Sequence, residues 1–363
     1  MLCFAHLRWS FVYQRPQHVM ARIAQRRPIV YFEEPEFGAG PPSLRTRQEA
    51  NVTIATPQLP AGISAEDAVC EQSRLLDSLL SLGERRDPIL WYYTPMALAF
   101  SRHVRGVRVY DCMDELSAFH NAPPELPALE RELLAVSAVV FTGGRSLYYA
   151  KRRLHSNVHC YPSAVDERHF APAGRPEPEE LRGIPHPRLG FYGVIDERFD
   201  AVFVAELARE LQDWHLIFVG PTAKIDPAML PFAQNIHYLG MRAYGELPAL
   251  LEHWDAALLP FALNDATRFI SPTKTLEYLA ARTPVISTAI ADVADAYGAG
   301  IVTIAASPAQ AAAHARRILH SPPSQAWHRE VGRILQRSSW DATVRDMERD
   351  LELVEALALE VAG

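Results

Sequence analysis

The strongest constraint on this chain is an alternation that runs along it twice. Short apolar runs at 2–7, 28–32, 52–55, 89–93, 107–112 and 138–142 are separated by amphipathic stretches at 16–26, 65–82, 96–103 and 146–154. Short apolar runs bounded by turns read as buried strands, and apolar residues three and four apart read as helices. Helices between strands supply crossovers, so the sheet is expected to be parallel and covered on both faces. Residues 171–187 are dense in Pro, Gly and Glu and read as a linker. Beyond it the alternation restarts, with strands predicted at 188–194, 214–219, 236–239, 256–259 and 284–288. An acid-rich amphipathic helix is predicted over 338–362. The expected class is α/β, with two doubly wound, Rossmann-like domains. At 363 residues the chain is too long for one ordinary core.

Composition narrows the function. The chain is 48% hydrophobic and 22% charged, which is globular, and its formal charge of −7 argues against nucleic acid as a partner. Cys3, Cys70, Cys112 and Cys160 are scattered with no CxxC pair. They read as thiols in a reducing compartment, not as disulfides or a zinc site. No run approaches a membrane span, and the first apolar run is too short for a signal peptide, so a cytoplasmic protein is expected. Residues 38–47, rich in Gly, Pro and Arg, read as a mobile loop.

One stretch points to chemistry. Ser271 is placed to cap a helix whose first residue is Pro272, and Lys274 and Glu277 then share one side of it. A helix N-terminus suits a phosphate, and a lysine in the first turn fits an anion held there. Glu277, one turn on, suits a sugar's hydroxyls. The alternative is a solvated surface pair. Gly193, Gly220 and Gly240 end predicted strands, where glycine lets a ligand approach the backbone. Arg198 is a candidate phosphate clamp, or else a partner for Asp196 or Asp200. In the first half, Arg8, Trp9, Gln14, Arg15 and Gln17 follow the first strand, either at a ligand-binding edge or as an ordinary polar loop around a buried Trp. Asp111, Asp114 and Glu115 end the fifth strand. Their mutual repulsion favours a raised pKa and a catalytic base; a divalent metal or a plain helix cap at Asp114 are the other readings.

These residues carry a family resemblance. Glu277 through Val285 resembles the nucleotide-sugar motif of GT-B glycosyltransferases, in which a helix-borne Glu precedes a Gly-Thr-Pro-Val-type segment, with Arg282 in the place of the glycine. Pro272, Lys274, Glu277 and Tyr278 form the Pro-x-Lys-x-x-Glu-Tyr variant, which is similar to bacterial enzymes that build cell-surface polysaccharides. Residues 161–170 resemble the segment that ends the first half of such enzymes, with Ser163 and Ala164 in place of Asn and Gly. Phe269 stands where many retaining members carry an earlier Glu.

The resemblance implies a GT-B fold with two Rossmann-like domains facing a cleft and a C-terminal helix crossing back. Its domains would be 1–170 for the acceptor, a linker at 171–187, 188–337 for the nucleotide sugar, and a tail at 338–363. Donor contacts would fall to Gly193, Arg198, Gly220, Ser271, Thr273, Lys274 and Glu277. Acceptor contacts would fall to Trp9, Gln14 and Arg15, and the base to Asp114 or, second, Asp111. The expected donor is a nucleotide diphosphate sugar, UDP among the carriers, with no metal and no separate cofactor. The acceptor would be a glycan or glycolipid hydroxyl, with peripheral contact at the inner face of the membrane. An epimerase on the same architecture, or a nucleotide-sugar-binding assembly subunit without catalysis, are the rival readings; Phe269 keeps the second in play.

Overall fold

The structure, a computed structural model, describes residues 1–81 and 87–362. The predicted helix end at Leu82 and the domain end at Gly363 lie outside the described residues. The chain forms two compact units. One comprises Met1–Ser117, Asn121–Pro162 and Thr343–Gly363; the other comprises Ala118–His120 and Ser163–Ala342.

The first unit holds a nine-stranded sheet. Its strands are β1 (Leu2–Ala5), β2 (Ile29–Glu33), β3 (Glu36–Gly38), β4 (Ser43–Glu49), β5 (Val52–Pro60), β6 (Leu90–Tyr92), β7 (Arg108–Cys112), β8 (Val139–Thr142) and β9 (Val158–Cys160). The order is β3-β5-β2-β1-β6-β7-β8-β9, with β4 antiparallel on β5 and the other pairs parallel. The central strands are buried almost throughout, which is why they read as continuous apolar runs rather than alternating ones.

The second unit holds a six-stranded parallel sheet of β10 (Arg188–Tyr192), β11 (His215–Val219), β12 (Ile236–Gly240), β13 (Ala256–Leu259), β14 (Val285–Ser287) and β15 (Val302–Ile304). Its order, β12-β11-β10-β13-β14-β15, is the doubly wound dinucleotide-fold order. In both units the connections change direction beside the first strand, between β1 and β6 and between β10 and β13. Ligands of such sheets bind at the carboxyl ends of these strands.

Two expectations need correction. Residues 38–47 are not a mobile loop: they contribute to β3 and β4, and β4 pairs with β5 along its whole length. Nearly every β4 side chain is exposed, so it has no buried face to reveal it by alternation. Its charges are spent sideways, in Arg45–Glu36 at 2.8 Å and Arg47–Glu49 at 2.6 Å. The proposed linker, 171–187, packs into the second unit, where Leu181 and Ile184 join the core. The helices Leu126–Val136 and Gln325–Gln336 and the short strands β9 and β15 were not expected at all.

The final helix, Trp340–Ala362, belongs to the first unit from Thr343 onward. There Glu348 takes Arg26 at 2.6 Å, Glu355 takes Arg27 at 3.2 Å, and Asp350 accepts the Tyr161 hydroxyl at 2.5 Å.

Candidate functional site

The carboxyl edge of the second sheet is made of glycine backbone and one lysine. After β10 and β11 the chain turns at Gly193 and Gly220, with φ of +139° and +143°, a region that disfavours any side chain. The Gly193 N–H donates to the Val219 carbonyl and the Gly220 N–H to the Gly240 carbonyl, each at 2.8 Å. The two turns pack so closely that a Cβ on Gly220 would lie 1.9 Å from the Gly193 carbonyl oxygen. A Cβ on Gly193 would lie 2.1 Å from Cε and 2.8 Å from Nζ of Lys274. Lys274 therefore stretches across bare backbone at the end of β10.

Lys274 arrives on the Thr273–Ala280 helix, which leads into β14. The N-cap is Pro272, not Ser271, and no side chain caps the helix. Ser271 instead accepts a 2.7 Å hydrogen bond from the Ser163 hydroxyl on its carbonyl, which fixes the approach to the helix. The Thr275 N–H already donates to the Pro272 carbonyl at 3.2 Å, and the start of the helix presents the positive end of the dipole. Leu276, Leu279 and Ala280 anchor the other face in the core.

Glu277 is buried, at 4% exposure, and accepts the Tyr192 hydroxyl at 2.5 Å. Burial raises its pKa, opposed by that hydrogen bond and by the charge of Lys274. Burial and the adjacent Glu277 push the Tyr192 phenol well up, so it stays a donor. Tyr278 receives the Tyr192 backbone N–H on its hydroxyl at 3.0 Å. Two successive residues thus tie the helix to β10. Arg282 ends the segment with φ of +61°, a left-handed conformation that suits the glycine found there in the resembled motif.

Arg198 takes the ion-pair reading. Its Nε and Nη2 donate to Asp196 at 3.0 and 2.6 Å, and its guanidinium lies 5.3 Å from the Phe119 ring centroid. It stands on the loop after β10, whose Ile195 and Asp200 N–H groups bond the carbonyls of Pro221 and Pro260. Within the second unit the structure thus gathers Gly193, Gly220, Lys274 and Glu277 at one edge, with Arg198 on the adjoining loop.

The first unit departs further from expectation. Asp111 is fully buried and paired to Arg15, itself 2% exposed, with Arg15 Nη2 at 2.9 Å. Arg15 also donates to the Tyr161 carbonyl at 2.7 Å. Asp111 is therefore not placed to act as a base, nor Arg15 to hold an acceptor. Trp9 is buried too, its ring N–H on Glu49 and its backbone N–H on Glu33, both at 2.8 Å. Gln14 serves as the N-cap of the Arg15–Ile23 helix in a capping box with Gln17. The loop after β1 is the internally satisfied polar loop that was the alternative reading. Glu115 pairs with Lys151 at 2.8 Å, and Lys151 also reaches Glu130 at 2.7 Å. The expected mutual repulsion of the carboxylates is thus relieved by cations from distant segments. Asp114, half-buried in the loop after β7, keeps its position at the strand's carboxyl end.

Sequence reasoning missed one feature outright. A cavity of about 290 Å³ opens at the carboxyl ends of β1, β2 and β6, beside the change of direction in the first sheet. Phe4, Phe32 and Phe100 line it and pack on one another, with ring centroids 5.6–5.9 Å apart. These residues sit on separate segments, and no local motif joins them.

Comparison with known proteins fits this geometry. Residues 186–321, which include the Lys274 edge, match the family described as Glycosyl transferases group 1. Fold and match together set the frame: the fold is that of GT-B proteins, and residues 186–321 are similar to the group 1 glycosyltransferases. Among its relatives is a Bacillus subtilis (strain 168) protein named as a teichuronic acid biosynthesis glycosyltransferase, TuaH, 27% identical over 238 residues. That match takes in 60% of this chain and spans 59% of the relative's length. Similar solved structures include a trehalose-6-phosphate protein of E. coli bound with UDP-2-fluoro glucose, at TM-score 0.70 and 14% identity over 96% of this chain and 98% of the other. A sucrose-phosphate synthase of Thermosynechococcus elongatus gives TM-score 0.70 and 13% identity over 98% and 99%. At such identities these two establish the fold alone.

Proposed function

We propose that the protein transfers a glycosyl group from a nucleotide diphosphate sugar to a hydroxyl of a glycan or glycolipid acceptor, in the synthesis of a surface polysaccharide or related glycoconjugate. The observation that carries this reading is Lys274 lying over Gly193 at the end of β10, inside the matched region. Bare backbone admits a diphosphate to close range, and the lysine and the helix N-terminus at Thr273 meet its charge. During transfer, negative charge grows on the leaving diphosphate, and these fixed positive groups stabilise it. Arg198, held in place by Asp196, adds a second cation once the donor's phosphates compete for it. Glu277 is oriented by Tyr192 toward the ribose hydroxyls. Asp114 takes the acceptor's proton. The scheme uses the donor as substrate and calls on no separate cofactor.

Peripheral attachment to the inner face of the membrane forms part of the reading. Among the described residues no helix is long and apolar enough to cross a membrane. Its support is the exposed run Arg145, Tyr149, Arg152, Arg153 and Leu154, basic residues beside apolar and aromatic ones.

The test is a thermal-shift panel of nucleoside diphosphates followed by assay of the stabilising one as a sugar donor. A ligand at a hundred times its Kd stabilises by about 2.7 kcal/mol. Stabilisation with sugar transfer supports the reading. Stabilisation with donor turnover but no acceptor requirement would make the protein an epimerase, and binding without turnover a silent subunit.

A further inference from the structure

The cavity of the first unit has a chemistry of its own. Its polar lining groups are largely committed elsewhere. Glu33 accepts from Arg8, the Trp9 N–H and the Thr56 hydroxyl. Gln72 donates its amide to the Ala68 carbonyl, and Thr94 accepts the Met96 N–H. The floor of the space is the nearly fully buried Phe4–Phe32–Phe100 cluster, with Met96 and Ala99 on one side and the exposed Phe37, at 59%, and Glu34 at the rim. A sugar ring needs many hydrogen-bonding partners, and this wall offers few. Its volume of about 290 Å³ exceeds the roughly 150 Å³ of a cavity that holds one benzene ring, and leaves room for an alkyl chain.

We propose that this cavity seats an alkyl chain carried by the acceptor. The inference rests on the glycosyl-transfer reading and adds the acceptor's class: a hydroxyl compound with an apolar portion, not a free sugar or a sugar phosphate. Its position supports this, since the cavity lies at the strand ends where open sheets bind ligands. The exposed Phe37 ring would be covered when the chain is seated.

The experiment is calorimetric titration of the full chain with n-octyl β-D-glucopyranoside below its micelle concentration, beside methyl β-D-glucopyranoside. The octyl compound should bind at least about tenfold more tightly, since several methylenes leave water. Ala99→Phe, which fills the cavity from a half-exposed position, should abolish that preference. Phe37→Ala, a surface change that leaves the fold alone, should weaken octyl binding by about threefold to tenfold. Equal binding of both glucosides, or an octyl preference untouched by both substitutions, would overturn the proposal. Nucleoside diphosphate binding is titrated on the same samples. If it persists while the octyl preference is absent, the cavity inference fails and glycosyl transfer stands. If it is absent while the octyl preference tracks the two substitutions, the cavity is upheld and the donor reading fails.

Discussion

The two sheets share a core strand order, β5-β2-β1-β6-β7-β8 in one and β12-β11-β10-β13-β14-β15 in the other, and differ in what they place at the same edge. In the first unit the carboxyl edge is walled by phenylalanines, and its charged groups are locked in buried pairs such as Arg15–Asp111. In the second, the edge is glycine backbone crossed by a lysine that reaches over Gly193. Strand order fixes where a ligand can bind; the residues at the strand ends decide which ligand. An apolar wall with neutralised charges suits an apolar acceptor portion, whereas backbone without side chains beside a cation suits a diphosphate.

The largest expected effect breaks the first edge. Arg15→Met leaves the Asp111 carboxylate buried and unpaired, and should cost about 3–5 kcal/mol in urea unfolding. Lys274→Met, at the half-exposed second edge, should cost under about 1 kcal/mol. Similar losses would show that the two cations are alike in role.

Next comes Asp114→Asn, expected to lower turnover by about 10²–10⁴-fold while nucleoside diphosphate affinity stays within about twofold. Wild-type turnover in this variant would remove Asp114 from the chemistry. Loss of about 1 kcal/mol of stability with activity retained would make it a cap.

Gly193→Ala attacks the second edge directly. Its φ and the clash with Lys274 should cost about 1–3 kcal/mol of stability and displace the lysine, so diphosphate affinity falls as well. An unchanged melting midpoint and affinity would mean that the turn and Lys274 rearrange freely.

The smallest effect concerns Glu277→Gln, which keeps shape and should weaken nucleotide binding by about 1 kcal/mol. Its stability should move the other way with pH. The Glu277 pKa is raised by burial, so the folded state holds this proton more tightly than the unfolded chain. Wild type then loses stability as pH rises from the ordinary carboxylate range through the folded value, and the glutamine variant does not. Unfolding midpoints of both proteins from acid to neutral pH check this; a difference independent of pH would contradict the buried carboxylate.

How much of this was legible in the sequence follows from distance along the chain. The parallel strands announced themselves as apolar runs, because both their faces are buried. The lysine and glycine edge of the second sheet was legible because Lys274 and Glu277 lie on one helix, although its N-cap fell at Pro272 and not at Ser271. Arg15 and Asp111 lie 96 positions apart, and nothing local in either segment announces their pairing. For the same reason the acidic cluster looked uniformly reactive, while Arg15 and Lys151 in fact hold two of its members, Asp111 and Glu115. The phenylalanine cavity was hidden likewise, since Phe4, Phe32 and Phe100 each look like ordinary strand or helix core. Strand β4, exposed along most of its length, was masked by its Gly- and Arg-rich approach.

The most direct test of the donor edge is calorimetry of wild type and Lys274→Ala, each titrated with the stabilising nucleoside diphosphate and with its parent nucleoside. The account predicts that the substitution weakens the diphosphate by at least about tenfold, or about 1.4 kcal/mol, and leaves the nucleoside unchanged. Equal loss for both ligands, or no loss for either, would show that Lys274 does not meet a phosphate and would contradict the account at its centre.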